Sequence, residues 1–281
     1  MQAPELVLLG GPNSGKTHFA GQLYGRLRRK TGRLLLRREG GTPADLSALE
    51  DVLRSLARGH AAQHTSAQTW AEITLPIVDT AGQVIDLRWP DYGGEQLNTA
   101  FQQRAISQAW RDRLRNASGW IVLIRLNAET TYPEALQRLR EGAIDQATSA
   151  GRLSKWDANA RWVELLQLLL YVAGHGSVQQ IKTPRLVVML SCFDELGAQV
   201  ALPHEILASQ LPLVYSYIQS IWSPGAFSVW GLSALGRHLD ERSEDECFID
   251  EGPENQGWVV GPDGSRSEDL TLPLDWLLHP A

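Results

Sequence analysis

The first thirty residues show a short apolar run followed by a helical pattern. Leu6–Leu9 is continuously apolar and has the length of a buried strand. The segment from His18 to Arg29 has the composition of a helix. A glycine-rich stretch separates the two and fits neither. The pattern therefore predicts a strand, a loop and a helix in succession.

Strand-like and helix-like patterns continue to alternate along the chain. Apolar runs predict strands at 33–38, 70–78, 119–126, 185–190 and 227–232. Helical spacing predicts helices at 45–58, 101–116, 133–173 (broken near 151) and 211–222. Residues 84–98 contain Pro90, which disfavours a central strand, and we predict a loop there. This alternation predicts an α/β fold with a mostly parallel sheet and helices on both faces.

The loop after the first strand carries a phosphate-binding motif. Residues 10–17 read Gly-Gly-Pro-Asn-Ser-Gly-Lys-Thr, which fits G-x-x-x-x-G-K-[ST]. Backbone N–H groups of such a loop and the following helix N-terminus surround phosphate oxygens. Lys16 is expected to reach the β- and γ-phosphates, and Thr17 to ligate Mg²⁺. The remaining candidate nucleotide contacts in the loop are Gly10, Asn13, Ser14 and Gly15.

A second motif, Asp79-Thr80-Ala81-Gly82-Gln83, follows the predicted strand at 70–78. Beside a P-loop, a carboxylate at a strand end holds Mg²⁺ through water, and this role is predicted for Asp79. The Gly82 amide is expected to sense the γ-phosphate. Gln83 is expected to orient the attacking water.

Asp91-Tyr92-Gly93-Gly94 also fits D-x-x-G, but no strand is predicted before it. We assign it to the loop beyond the phosphate sensor. Glu95 and Gln96 in that loop remain minor candidates for catalysis.

Two further motifs follow predicted strands: Ser191-Cys192-Phe193-Asp194 and Ser233-Ala234-Leu235. The order of the four motifs resembles that of the translation-factor-related (TRAFAC) P-loop GTPases, over about residues 1–236. The helical segment and the tail with Trp276 are most similar to the bacterial double-GTPase families. This resemblance implies a Ras-like fold, GTP and GDP with Mg²⁺ as ligands, and a switch function in a bacterial conflict or defence system. It also implies a partner protein, either a second GTPase-like protein or an activating protein.

The resemblance assigns base recognition to Asp194, which matches the Asp of N-K-x-D and accepts hydrogen bonds from the guanine edge. Ser233 and Ala234 match the loop that supports the base from the other side. Ser191 and Cys192 stand where the family has Asn and Lys. The missing lysine stem would have covered one face of the base, so an ATP-specific P-loop enzyme remains an alternative.

The resemblance also requires a switch threonine between the P-loop and Asp79. Thr65 is our choice, as a ligand that completes the Mg²⁺ shell and takes part in catalysis. Thr42 and Thr69 are the alternatives. No arginine finger is assigned, because Arg37, Arg38 and Arg88 are equally well explained as surface residues.

Composition limits the partners and the cellular compartment that we expect for the protein. The net charge of −6 offers no basic footprint for nucleic acid. Two cysteines cannot form a disulfide framework, which favours a reducing compartment. No apolar run of about 18 residues exists to span a membrane. We expect a cytoplasmic protein.

We therefore predict Mg²⁺-dependent GTP binding and hydrolysis. The GTPase-like domain is predicted over 1–236, with a helical insertion at about 128–180. A C-terminal extension over 237–281 is predicted to pack on it. A module that binds nucleotide without hydrolysing it is the other open alternative, with the apolar helix at 162–171 and the tryptophan-containing tail as docking surfaces.

Overall fold

The computed structural model describes residues 4–29, 32–37, 46–62, 73–89, 101–132, 156–176, 179–197 and 201–279. Within these ranges, one sheet contains the strands β1 (Glu5–Gly10), β2 (Leu34–Leu36), β3 (Ile73–Asp79), β4 (Val84–Trp89), β5 (Gly119–Ile124), β6 (Arg185–Ser191), β7 (Phe227–Ser233), β8 (Trp258–Val260) and β9 (Arg266–Ser267). The helices are α1 (Lys16–Arg29), α2 (Ser47–Leu56), α3 (Gln108–Asn116), α4 (Ala158–Ala173), α5 (Pro203–Gln210), α6 (Pro212–Ile221), α7 (Glu246–Asp250) and α8 (Leu272–Leu278). None of the described helices is long and apolar enough to cross a membrane.

The sheet has a parallel centre and antiparallel ends. Its strand order is β2-β3-β4-β1-β5-β6-β7-β8-β9. Strands β4, β1, β5, β6 and β7 run parallel to one another. The pairs β2–β3, β3–β4, β7–β8 and β8–β9 are antiparallel. The predicted α/β fold with a mostly parallel sheet is confirmed.

Helices cover both faces of this sheet. In β5, Trp120, Val122 and Ile124 pack into a core with α3, α4 and α6. Ile121 and Leu123 of the same strand face the opposite core, which holds the apolar side of α1 and of α8. A central strand covered on both faces must be apolar at every position, which explains its continuous hydrophobic run.

Residues 84–89 form strand β4, so the predicted loop at 84–98 is wrong over this part. Ile85 and Leu87 are fully buried and alternate with Asp86 and Arg88, a period of two. The strand ends at Trp89, one residue before Pro90 in the sequence. β4 separates β3 from β1, and this position decides which loop adjoins the P-loop.

Residues after 237 join the same sheet through β8, which pairs with β7. Buried Arg26 of α1 donates to the backbone oxygens of Gln256 (2.6 Å), Gly257 (3.1 Å) and Glu268 (3.0 Å). Buried Arg185 of β6 donates to the oxygens of Trp276 and Leu277 in α8. The guanidinium groups of Arg26 and Arg185 thus connect the segment after residue 237 to α1 and β6 at several points.

Candidate functional site

The P-loop winds around the amine of Lys16. Lys16 is the first residue of α1, and its Nζ donates to Gly10 O (2.9 Å), Gly11 O (2.6 Å) and Ser14 Oγ (3.2 Å). Asn13 and Gly15 adopt φ values of 57° and 78°, which bend the loop back toward the helix. Burial lowers the pKa of Lys16 to about 8. The loop therefore holds an ammonium group that gives up its proton unusually easily.

A cavity of about 410 Å³ lies beside this loop, at the carboxyl edge of the parallel strands. One wall is residues 13–18 of the P-loop and α1. Another holds Ser191, the last residue of β6, and Cys192, Asp194 and Glu195, which follow it. A third holds Ala234 and residues that come after it. Small-molecule sites of α/β proteins lie at this edge and commonly enclose about 300–1,000 Å³.

Asp194 is oriented by the loop after β7. The Ser233 hydroxyl donates to Asp194 Oδ1, and the backbone N–H of Gly236 donates to Ser233 Oγ at 3.0 Å. Ser233 therefore stands behind the cavity wall and fixes a carboxylate that faces the cavity. This brings Asp194, Ser233 and Ala234 together with the P-loop.

Ser191 and Cys192 complete this wall without any charge. The Ser191 hydroxyl is buried and has no hydrogen-bond partner among the described residues. Burial raises the pKa of the Cys192 thiol to about 11, so the thiol is neutral at physiological pH. The position that holds lysine in related motifs is thus filled by a small neutral group.

Arg125 is a cavity residue that sequence reasoning missed. It directly follows β5, and its Nε and NH2 donate to the two carboxylate oxygens of Glu195 at 3.0 and 2.5 Å. Its NH1 lies 3.4 Å from Asn13 O in the P-loop. The available signal was a lone cation at the end of an apolar run, which predicts a site only when the neighbouring strands are known.

Residues 237–241 also line the cavity, a contribution that the sequence did not predict. This stretch is tied to the segment after α2: Ala61 N donates to Asp240 O at 2.8 Å, and Asp245 N to Gly59 O at 3.3 Å. The C-terminal extension therefore supplies part of the cavity wall.

The same segment after α2 also touches the P-loop helix. Ala62 N donates to His18 Nε2 at 3.1 Å, and His18 lies one residue beyond Thr17. The chain segment that ends at Ala62 is therefore attached beside the P-loop.

The motif at 79–83 lies elsewhere, and its predicted roles are wrong. These residues form the tight turn between β3 and β4, in which Asp79 Oδ1 accepts from the N–H groups of Ala81 (2.9 Å) and Gln83 (2.7 Å). β3 runs antiparallel to β4, and β4 runs parallel to β1. The turn therefore lies at the edge of the sheet opposite to the P-loop, where Asp79 cannot hold Mg²⁺ and neither Gly82 nor Gln83 can meet the phosphates.

Asp79 has a structural partner at that edge. His279 Nε2 lies 2.9 Å from Asp79 Oδ2, just beyond α8. Burial opposes ionisation of Asp79, but the Gln83 N–H, His279 and the Ala81 N–H together hold its pKa below the usual value. Asp79 raises the pKa of His279 in return.

Several predicted residues lie outside the described ranges. These are Thr42, Thr65, Thr69, Arg38, the motif Asp91-x-x-Gly94, Glu95 and Gln96. Arg37 follows β2, and its backbone N–H donates to Pro76 O at 2.9 Å. Arg88 lies in β4.

Of the three predicted Mg²⁺ ligands, the structure places Thr17 in the cavity wall beside Lys16. Mg²⁺ in nucleotide sites takes few protein ligands and completes its shell with phosphate oxygens and water, so a threonine hydroxyl fits it. Among the described residues, no group of three or more His, Cys, Asp and Glu side chains is arranged to bind a metal by itself.

Comparison with solved structures finds small and translational GTPases at low similarity. The Arl6 BBS3 small GTPase of Trypanosoma brucei, solved with bound GppNp, shares 13% identity over 83% of this chain and 88% of that chain, with a TM-score of 0.37. The signal recognition particle receptor SRb-GTP/SRX complex of Chaetomium thermophilum shares 17% over 86% of this chain and 96% of that chain, with a TM-score of 0.39. No curated protein matches the chain.

The sequence profile of the Double-GTPase 1 family matches residues 7–277. The match extends from β1 through the P-loop, the cavity and the C-terminal segment to α8. The chain belongs to the Double-GTPase 1 family.

Proposed function

We propose that the protein binds GTP and GDP with Mg²⁺, hydrolyses GTP, and acts as a molecular switch for partner proteins. The observation that carries this proposal is the shared cavity of the Lys16 loop and Asp194, described above. A guanine nucleotide needs a loop that binds its phosphates at one end and a fixed carboxylate that binds its base at the other. Membership of the family supports guanine-nucleotide binding in its own right.

At the phosphate end, Lys16 exchanges its carbonyl partners in the P-loop for phosphate oxygens. The backbone N–H groups at the start of α1 and the helix dipole add to the attraction. Thr17 holds Mg²⁺, which neutralises phosphate charge when it is bound.

At the base end, Asp194 accepts hydrogen bonds from the guanine N1–H and N2 amino groups. Adenine offers no such pair of donors at the corresponding edge, so a carboxylate fixed by Ser233 selects against ATP. The buried Ser191 hydroxyl offers a further hydrogen bond to a base edge.

We assign the role predicted for Asp79-x-x-Gly82, holding Mg²⁺ and sensing the γ-phosphate, to Asp91-x-x-Gly94 instead. Register pairs Leu6 with Leu87 in parallel strands, so the chain leaves β4 on the P-loop side of the sheet. Asp91 follows Trp89, the last residue of β4, by two positions in the sequence. We propose Asp91 as the carboxylate that holds Mg²⁺ through water, and Gln96 as the residue that orients the attacking water.

Calorimetry with GDP, GTP and ATP in Mg²⁺ tests this proposal. We expect guanine nucleotides to bind and ATP to bind at least about tenfold more weakly, because the unpaired base edge costs hydrogen-bond energy. Asp194→Ala should abolish this preference, whereas Asp263→Ala, which removes an exposed turn carboxylate, should preserve it. Equal binding of ATP and GTP, unchanged in Asp194→Ala, would overturn the base assignment.

A nucleotide-dependent module without hydrolysis is the second candidate. One observation favours it: Gln83, the glutamine of the first Asp-x-x-Gly motif, lies at the edge of the sheet opposite to the P-loop. Single-turnover release of phosphate from GTP separates the two, with Gln96→Leu expected to stop release while GTP still binds. Absence of release from the unaltered protein, alone and with its partner, would favour the module.

On the family resemblance, the partner we propose is a second GTPase-like protein.

A further inference from the structure

The wall of the cavity carries only a short side chain at position 192. Cys192 is small and neutral, and its Sγ would lie 4.0 Å from a Cβ added to Gly15 of the P-loop. Cys192 begins the loop that follows β6 and holds Asp194, which we call the base loop. A longer side chain at this position would extend from the base loop toward the P-loop. Cysteine leaves one face of a bound base without such cover.

Arg125 enters the same space from a neighbouring strand. β5 lies between β1, which leads into the P-loop, and β6, which leads into the base loop. The residue after β5 therefore begins between the two loops. Its guanidinium contacts both of them, through Asn13 O and through the Glu195 carboxylate.

Glu195 fixes the plane of this guanidinium. Two parallel N–H···O contacts form a fork that permits only one orientation, unlike the single contact of an ammonium group. The Arg125 side chain remains 31% exposed, and it lines the cavity. A flat, charged group that stays partly uncovered is suited to stack on an aromatic ring.

We propose that Arg125 replaces the lysine missing at position 192, by covering one face of the guanine base and tying the base loop to the P-loop. The inference rests on the proposed guanine-nucleotide binding. Glu195 acts as a positioning residue, because its carboxylate holds the guanidinium in place.

The test compares GDP and GTP affinities of Arg125→Ala with those of the unaltered protein, by calorimetry in Mg²⁺. We expect about a tenfold loss, equal for the two nucleotides, because the base is common to both. Arg104→Ala is the control: it breaks an exposed ion pair with Glu164 outside the cavity and should change neither affinity. Glu195→Gln, which keeps the shape but loosens the fork, should give a smaller loss.

A lysine placed at position 192 supplies the decisive comparison. Cys192→Lys should restore affinity in the Arg125→Ala background, because the lysine stem then covers the base. In the unaltered background the same change should weaken binding, since two cations compete for one space. A merely structural role of Arg125 predicts no such rescue.

The outcomes separate this inference from the proposed function. If the unaltered protein binds no guanine nucleotide, the proposed function fails. If it binds and Arg125→Ala changes the affinity by less than twofold, only the role of Arg125 fails. A loss larger for GTP than for GDP would place the guanidinium on phosphate and overturn the inference. Should Arg125→Ala not fold, the Glu195→Gln affinities and the Cys192→Lys loss decide the question.

Discussion

At the residue scale, Lys16 is held by the loop that its own motif builds. Its three acceptors are two carbonyl oxygens and a hydroxyl, none of them a carboxylate. These acceptors do not compensate fully for burial, which is why the pKa falls to about 8. A phosphate dianion is a stronger partner, and its arrival restores the preference for the charged form.

This balance predicts a pH dependence of nucleotide affinity. Below pH 8 the amine is already protonated, so GDP affinity should be constant. Above pH 8 binding must take up a proton, and affinity should fall by up to about tenfold per pH unit. Calorimetry between pH 7 and 9, in two buffers of different ionisation enthalpy, measures both the affinity and the proton uptake.

Lys16→Arg is the matched control, because a guanidinium stays charged throughout this range. Its affinity, whatever its value, should not vary with pH. A constant affinity of the unaltered protein from pH 7 to 9 would contradict the role given to the Lys16 proton.

At the residue scale, a sequence shows which side chains lie together only where they belong to one short motif. Lys16 and Thr17 lie in the cavity wall because loop and helix are adjacent in the chain. Arg125 could not be predicted, because its partners Asn13 and Glu195 are 112 and 70 residues away. Only the strand order brings these three residues together.

At the element scale, the turn at 79–83 shows why a motif and a hairpin can be confused. Aspartate favours the first position of a turn because its carboxylate accepts backbone N–H groups, and glycine favours a left-handed position. Gly82 has a φ of 82° in this turn. The same two residue types are required by a phosphate sensor, so the local sequence fits both structures. Pro90 favoured a loop in place of strand β4, which would have distinguished the two structures.

The strand order predicts opposite outcomes for two matched substitutions. Asp79→Asn should leave GTP affinity unchanged within about twofold and should lower the free energy of unfolding by about 1 kcal/mol, through the loss of a charged acceptor. Asp91→Asn should lower Mg²⁺-dependent GTP affinity at least about tenfold. Calorimetry with and without Mg²⁺, together with urea unfolding, measures both. The reverse pattern would restore the original assignment to Asp79.

The contact between His279 and Asp79 predicts a second pH effect, on stability. The folded-state pKa of His279 is raised, first by its hydrogen bond with Asp79, so its contribution is full below the unfolded pKa of about 6.5 and disappears as pH rises through the folded pKa. His279→Ala should therefore lower the free energy of unfolding by roughly 0.2–1 kcal/mol at pH 5.5 and by less at pH 8.5, because the histidine of the pair is 44% exposed. Urea unfolding at both pH values checks this. An equal loss at both pH values would show that packing, rather than charge, attaches the end of α8.

At the scale of the whole molecule, the C-terminal segment is held by buried guanidinium groups. Arg26 donates to three backbone oxygens of this segment and to Gln22 Oε1 at 2.9 Å. Burial lowers its pKa to about 10, yet it remains charged at neutral pH. The oxygens it satisfies lie in the connections around β8 and β9, and two of them belong to the buried residues Gln256 and Gly257, where a carbonyl oxygen needs a donor.

Arg26→Met should lower the free energy of unfolding by about 2–4 kcal/mol, because it leaves several carbonyl oxygens unpaired. Arg28→Met on the same helix is the matched control, since Arg28 is half exposed and should cost less than about 1 kcal/mol. Urea unfolding of both variants, with and without GDP, provides the measurement. Similar losses in the two variants would mean that Arg26 does not anchor the segment.

The overall fold was predictable because its determinants repeat along the chain. Buried strands such as β5 are apolar at every position, and helix α1 follows the P-loop directly. The short strands β8 and β9 were missed, because Trp258–Val260 and Arg266–Ser267 are too brief to show a period. Their position depends on the exposed edge of β7, a feature of the assembled sheet rather than of local sequence.

Residues 237–241 form part of the cavity wall, so the parts of the cavity are synthesised in a fixed order. A ribosome makes the P-loop first and this wall more than two hundred residues later. Strands β8 and β9, which extend the same sheet beyond β7, are made later still. A nascent chain therefore exposes an open phosphate loop until residues 237–241 have been made, and only then can the cavity be completed. Nucleotide would then stabilise the finished protein but give little help to its incomplete precursors.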